Sequence, residues 1–270
     1  MKQFLKEVQE QFTNMIYGIG GCRGNKEEVY QTAWDKGIRI FDSGYGYSGP
    51  LVNDRFLGDF LKDKKDYKII NKLPLFDKVY PVDIYTCSDV ELEKSIRFVL
   101  NMQLAATRQE YFEYYLYHAI FDMQFSKGYS IRKDLDLYKR IQPILEKLKQ
   151  EGKIHHIGFS AHCSLTKLKL FIETMKKIDA DIDTAMISYN PINKDGIEKS
   201  TNEVWAAPGH KGLEYLKSNG FTIINMRPTE EGKIKAKEAY ELIINEPLID
   251  IALVGTSNKQ HLLEDIGEIK

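Results

Sequence analysis

The feature that most limits what this chain can fold into is an eightfold alternation of short β-prone runs and amphipathic helical stretches. The runs are MIYGIG (15–20), IRIFD (38–42), YKIINKL (67–73), YFEYYLYHAI (111–120), IHHIGF (154–159), DTAMISY (183–189), FTIIN (221–225) and DIALVG (250–255). Between them lie segments whose apolar residues recur at helical spacing, such as Leu51, Val52, Phe56, Leu57, Phe60 and Leu61. Helix punctuation agrees with this division. Asn25 is placed to cap a helix that Gly37 stops, and Ser88 with Glu91 three residues on forms a capping-box pattern. Gly152 and Gly220 close two later helices, and Asn258 or Lys259 opens the last. Strands that alternate with helices pair in parallel, and eight such units close into a (β/α)8 barrel. A doubly wound open sheet is the competing arrangement. With no Pro/Ser-rich linker and no break in composition, residues 1–270 are expected to form a single domain, with residues 1–12 as an extra helix or arm.

Composition excludes several classes of function. Lys+Arg number 38 against 39 Asp+Glu, which argues against a nucleic-acid binder. No apolar run is long enough to span a membrane, and the charges in MKQFLKEVQEQF interrupt the apolar core that a signal peptide needs. Cys22, Cys87 and Cys163 are too scattered for a disulfide frame or a thiolate metal site. A reduced, cytoplasmic protein is the expectation.

In a barrel of this kind the C-terminal ends of the strands converge on one mouth. Those ends carry Asp42, with Tyr47 one short loop later, then Lys72 and His118. A Lys ammonium beside a phenol favours the phenolate and lowers the phenol pKa from about 10 towards neutrality, and a carboxylate would pair the buried Lys. Each residue taken singly fits a structural role. The four together suggest a site for proton transfer. GIGGCRG lacks dinucleotide-fold spacing and reads as a strand-end turn carrying Cys22. His155 and His156 point to opposite sides of a strand, so they do not share a metal. His162 and Cys163 follow the fifth run and could reach the mouth, though a polar loop is the favoured account.

The run GIRIFDSGYGY resembles the signature of the aldo-keto reductase family, in which a strand ends in Asp and the proton-donor Tyr follows five residues later. IINKLP resembles the strand bearing that family's Lys, and EYFEYYLYHAI the segment ending in its active-site His. LKQEGKIHHIGFSAH, FTIINMRP and LVGTSNKQHLLEDI resemble later blocks in the same order, so the likeness extends from about residue 14 to residue 266. The resemblance implies a (β/α)8 barrel and an NADP(H)-linked oxidoreductase, with NAD(H) left open, acting on a small carbonyl or its alcohol. It implies Asp42, Tyr47, Lys72 and His118 as catalytic residues, with Tyr47 donating the proton. Ser160, Met186 and Met226 would meet the nicotinamide end of the cofactor. Gly255, Thr256, Ser257, Lys259, His261, Glu264 and Asp265 would meet its phosphate and adenine end, with Lys259 or His261 reading a 2′-phosphate.

Departures from the family pattern fall where the nicotinamide is held. Ala161 stands for the usual Asn, Met186 for the usual Gln, Met226 for the ring that stacks on nicotinamide, and Asp265 for an Asn facing adenine. They motivate an alternative reading, a barrel that binds nucleotide in a regulatory role with weakened turnover. A third reading uses Asp42 and His118 as metal ligands. Lys270 follows soon after Glu264, so the mouth is expected to be walled by the loops 120–133 and 190–210, or left open. Phe121, Met123, Phe125 and Tyr129 are the expected lining of a carbonyl pocket.

Overall fold

The computed structural model describes residues 16–21, 26–75, 79–121, 130–201 and 204–267. The expected arm at 1–12, Cys22 and Asn25, and the loop residues Met123, Phe125 and Tyr129 lie outside the described residues. Eight strands pair in sequence order, all in parallel, and the eighth closes on the first. They are β1 (Ile16–Ile19), β2 (Ile40–Asp42), β3 (Lys68–Leu73), β4 (Phe112–Ile120), β5 (Ile154–Ala161), β6 (Thr184–Ser188), β7 (Thr222–Met226) and β8 (Ile251–Val254). The helices among the described residues are α1 (Glu27–Asp35), α2 (Val52–Leu61), α3 (Asp89–Thr107), α4 (Ile131–Gln150), α5 (Leu165–Lys176), α6 (Gly209–Ser218), α7 (Ala236–Ile244) and α8 (Lys259–Asp265). The arrangement is the (β/α)8 barrel expected from the alternation, and the open sheet is set aside.

Local chemistry accounts for several boundaries. Ser88 caps α3 through the Glu91 amide while Glu91 returns a bond to the Ser88 amide, so the capping box is formed. Asn258 caps α8 by accepting from the amides of Gln260 and His261. Lys26, which caps α1, offers no side-chain bond. Gly152 ends the α4 segment at φ +70°, a conformation that costs a glycine little.

Alternation along the strands sorts the barrel into two cores. Even-numbered positions such as Ile40, Ile70, Leu116, Met186 and Ile224 fill the barrel interior, joined by Ile251 and Leu253 from β8. The opposite faces, among them Phe41, Tyr115, Phe159, Ile187 and Val254, pack under the surrounding helices. Asp42, Lys72, His118 and Ser160 therefore share the inner face of their strands.

One irregularity matters for the site. Tyr117 pairs with Phe159, but Ile120 pairs with Ala161, so β4 carries one extra residue at His118–Ala119. Ala119 takes a left-handed φ of +57°, and its amide donates to Ser160 Oγ at 2.8 Å. The bulge returns Ile120 and Phe121 to the outer core. Bulges beside functional sites commonly re-aim a side chain in this way.

At the opposite end of the barrel, His156 packs on Tyr114 at 5.1 Å and meets Asp183 at 2.7 Å. His155 faces outward instead, stacked on Tyr111 at 4.1 Å, as the strand alternation requires. The hydrogen bond to Asp183 raises the His156 pKa above 6.5. A raised pKa means that the pair contributes fully below about 6.5 and is lost as pH rises through the shifted value. Truncation by His156→Ala is expected to lower Tm more at pH 6 than at pH 9; an equal loss at both would remove the ionic contribution.

Candidate active site

Asp42 is the last residue of β2 and is 3% exposed; Lys72, on β3, is 1% exposed. The Lys72 ammonium pairs with the Asp42 carboxylate and donates to the Ser43 carbonyl at 2.8 Å. Burial pushes the Asp42 carboxyl above its ordinary range, while the Lys72 charge and hydrogen bonds from Lys72, Gly21 and Tyr47 oppose the shift. A Cβ at Gly21 would overlap the Asp42 carbonyl and the Asn53 side chain, so the glycine permits this close approach.

Tyr47 reaches the pair from the loop after β2. Its amide donates to the Gly44 carbonyl at 3.0 Å, closing a tight turn, and a Cβ at Gly44 would press on the Tyr47 ring at 3.2 Å. The ring lies 4.8 Å from the Lys72 ammonium and meets the His118 imidazole nearly edge-on, with centroids 5.9 Å apart. Burial, with the nearby Lys72 charge and His162, pushes the His118 pKa down to about 3. The imidazole is thus neutral at physiological pH. The four residues singled out at the strand ends are neighbours in space: a carboxylate and an ammonium beneath, a phenol and a neutral imidazole above.

Ser160 and Met186 are adjacent partners across β5 and β6, and both are buried in the inner face. Met226 is partly buried against the same inner core. Ala161 turns into the outer core, and no amide side chain occupies its position or that of Met186. The contacts His162 makes were not legible in the sequence. His162, read there as a polar loop residue, packs 5.0 Å from Trp205, and the Arg227 guanidinium lies 5.7 Å from the Trp205 ring. Burial and the Arg227 charge push the His162 pKa to about 3. Before Trp205 in the chain, the Asn190 amide donates to buried Glu230 at 3.0 Å. Trp205 lies within the segment 190–210 expected to wall the mouth.

Phe121 is 2% exposed, at φ +63°, and packs edge-on to Tyr138 and Phe171 in the outer core. The extra residue in β4 turns it away from the mouth, so it does not line a carbonyl pocket.

At the other end of the candidate site, Gly255 is exposed beyond β8, and Thr256 Oγ1 accepts from the Asn258 amide at 3.1 Å. Ser257, Asn258, Lys259 and Gln260 line a surface cavity of about 340 Å³ together with Lys26 and Glu28 from the start of α1. Lys26 is the residue that sequence reasoning missed; it comes from a different barrel unit, and no local pattern marks it. His261 and Glu264 are exposed on α8 but do not line the cavity. Asp265 is turned inward and 6% exposed, with one carboxyl oxygen that lacks a hydrogen-bond partner. Its charge is felt by Tyr17 of β1 and Tyr240 of α7. That placement removes Asp265 from the surface expected to face adenine: the helical register carries its side chain to the buried side of α8.

Among the described residues, no group of three or more His, Cys, Asp or Glu side chains is arranged to hold a metal ion. The same residues contain no helix long and apolar enough to cross a membrane.

Burial, with Glu264 beside it, raises the Asp265 pKa to about 7. Against an unfolded value of about 3.9, the stability of the protonated form is full below that value and lost as pH rises to about 7. Asp265→Asn is therefore expected to raise Tm more at pH 8 than at pH 5. A gain independent of pH would contradict the inward, protonated carboxyl.

The aldo/keto reductase family model matches residues 23–270. No curated protein matches the chain in sequence. Among solved structures, a putative aldo-keto reductase from Pseudomonas aeruginosa superposes with a TM-score of 0.68 at 20% identity, covering 94% of this chain and 88% of that one. The aldose reductase from Schistosoma japonicum gives 0.62 at 16% identity, covering 94% and 82%. The holo form of an aldo-keto reductase from Bacillus halodurans gives 0.65 at 13%, covering 94% and 86%. At these identities the likeness is one of fold.

Proposed function

Because this chain belongs to the aldo/keto reductase family of oxidoreductases, we propose that it reduces a small carbonyl, or oxidises the corresponding alcohol, with Tyr47 as the proton-transferring acid and NADP(H) as its cofactor. The observation that carries this reading is the neutral His118 beside Tyr47 and Lys72. An imidazole whose pKa is about 3 is not in its acidic imidazolium form at physiological pH, which leaves the phenol as the acid. Bound at the mouth, the nicotinamide would supply or accept the hydride.

The chain's own groups have distinct tasks. Tyr47 Oη gives its proton to the carbonyl oxygen as that oxygen gains alkoxide character. The Lys72 ammonium stabilises the phenolate left behind, because a positive charge nearby favours the anionic form. Asp42 holds the ammonium in place and compensates for its removal from water. His118, neutral and fixed by the bulge that Ser160 pins, orients the carbonyl by donating its ring N–H to the carbonyl oxygen. Met186 and Met226 offer an adaptable, polarizable floor for a flat ring.

The residues around α8 fit the other end of such a cofactor. Lys26 and Lys259 set two cations against the single acid Glu28 around one cavity, a balance suited to a phosphate-bearing ribose. Ser257, beside Lys259, would add a hydroxyl, with Gly255 and Thr256 forming the approach. His261 and Glu264 lie one turn further on and would meet the adenine side.

Tyr47→Phe removes only the phenolic oxygen. It is expected to abolish carbonyl-dependent NADPH oxidation while leaving the NADPH Kd within a few-fold. A variant keeping most of its kcat would defeat the assignment, and a wild type that binds NADPH without turning over any carbonyl would favour a regulatory barrel. Lys259→Ala is expected to weaken NADPH more than NADH by roughly 1–3 kcal/mol, the range for a charge-assisted contact. Equal losses in a binding titration would show that Lys259 does not read the 2′-phosphate.

A further inference from the structure

Behind the quartet lies a set of polar groups that the proposed chemistry leaves without a task. Ser43, Asn53, Asp54, Asn71 and Gln103 are all 0% exposed. Polar groups so buried need partners, and an acid among them is costly to keep. Asp54, in the first turn of α2, is the hub. Its Oδ1 accepts from Ser43 Oγ at 2.6 Å and from Asn71 Nδ2 at 2.8 Å.

Both residues that Asp54 grips adjoin the quartet. Ser43 follows Asp42 in the chain, and its carbonyl takes the Lys72 ammonium at 2.8 Å. Asn71 precedes Lys72, and its Oδ1 accepts the Lys72 backbone amide at 2.8 Å. Gln103 of α3 secures the same point from behind, donating to Asn71 Oδ1 at 2.8 Å and to the Lys72 carbonyl at 2.9 Å. The Tyr115 hydroxyl completes the line by donating to Gln103 at 2.7 Å. A lysine side chain has four rotatable bonds, so its ammonium goes where its acceptors are. Here those acceptors are Asp42 and the Ser43 carbonyl, and Asp54 fixes the second of them.

We propose that Asp54 is a positioning residue: by tying Ser43 to Asn71 it holds the Lys72 ammonium against Tyr47 and so sets the acidity of that phenol. The inference rests on the reading of Tyr47 as the acid. Asp54 Oδ2 has no hydrogen-bond partner, so an amide at this position would keep both accepted bonds and alter only the bare oxygen. The charged or titratable groups that act on or feel Asp54 are Lys72 and Asp42 at the strand ends and Tyr115 on β4. Burial pushes the Asp54 carboxyl above its ordinary range, opposed by Ser43, Asn71 and Lys72.

Two variants separate position from charge. Asp54→Asn and Asp54→Ala both remove the carboxyl, but only the alanine removes the acceptor. With tyrosines labelled at ¹³Cζ, and the Tyr47 resonance identified by its loss in Tyr47→Phe, the Tyr47 titration can be followed without any turnover. The midpoint is expected about one unit higher in Asp54→Ala than in Asp54→Asn, a tenfold loss of acidity. The kcat for carbonyl reduction is expected to fall about tenfold in the alanine variant and to stay within about threefold of wild type in the asparagine variant, with NADPH Kd unchanged in both. Identical Tyr47 titrations in the two variants would overturn the proposal. If wild type reduces no carbonyl, the functional reading fails, while the titration still decides the role of Asp54. Should Asp54→Ala not fold, Ser43→Ala removes one of the two donors and is expected to shift Tyr47 in the same direction; an unmoved midpoint there would also overturn it.

Discussion

A lysine and an aspartate buried at neighbouring strand ends organise the rest of this molecule. Removing both charges from water costs several kcal/mol per ion before any attraction is counted, so the pair persists only where its geometry and surrounding hydrogen bonds are good. The barrel supplies both. β2 and β3 are adjacent parallel strands, with Asp42 in register with Ile70, two residues before Lys72. Their shared inner face brings the two side chains together, and closure of the sheet leaves no edge through which water could separate them.

Other features follow from that pair. The Lys72 charge helps to keep His118 neutral beside the Tyr47 phenol. The left-handed residue at Ala119 and the bond to Ser160 hold the imidazole to the inner face. Strain of this kind, about 1–3 kcal/mol for a non-glycine residue at positive φ, persists when the neighbouring structure over-determines it. Here a β-bulge, a side-chain acceptor and two packed aromatic residues at its end do so.

The barrel was legible in the sequence because its signal is periodic and local. Each strand reads as a short apolar run, each helix as a spacing with a cap or a glycine stop, and the quartet falls at the strand ends by counting. What could not be read depends on contacts made across the fold. Asp54 reaches Asn71, and Asn71 reaches Gln103, through separations of 17 and 32 residues that leave no local pattern. Phe121 was misplaced because a single inserted residue in β4 reverses the direction of everything after it, and a bulge has no reliable mark in one sequence. Asp265 was misplaced because position on a helix gives its distance along the axis but not which side faces the barrel. Lys26 went unnoticed because its cavity is shared between the first and last units of the closed ring.

The alternation that sorts side chains inward and outward also divides the labour of the site. On β3, Lys72 points into the barrel, where it can meet Tyr47, while Asn71 points outward into the fully buried layer beneath α2 and α3. On β5, Ser160 points inward beneath His118 while Ala161 packs outward. The inner face is therefore supported by groups one residue away in sequence but on the opposite side of a strand. Such groups have no access to the inner face, yet they fix the backbone from which Lys72 and Ser160 project. A strand cannot rotate one residue without moving the next, because side-chain direction alternates along a rigid pleat. Polar contacts on the outer face of β3 thus constrain the inner face directly, which is the route by which Asp54 is proposed to position the Lys72 ammonium.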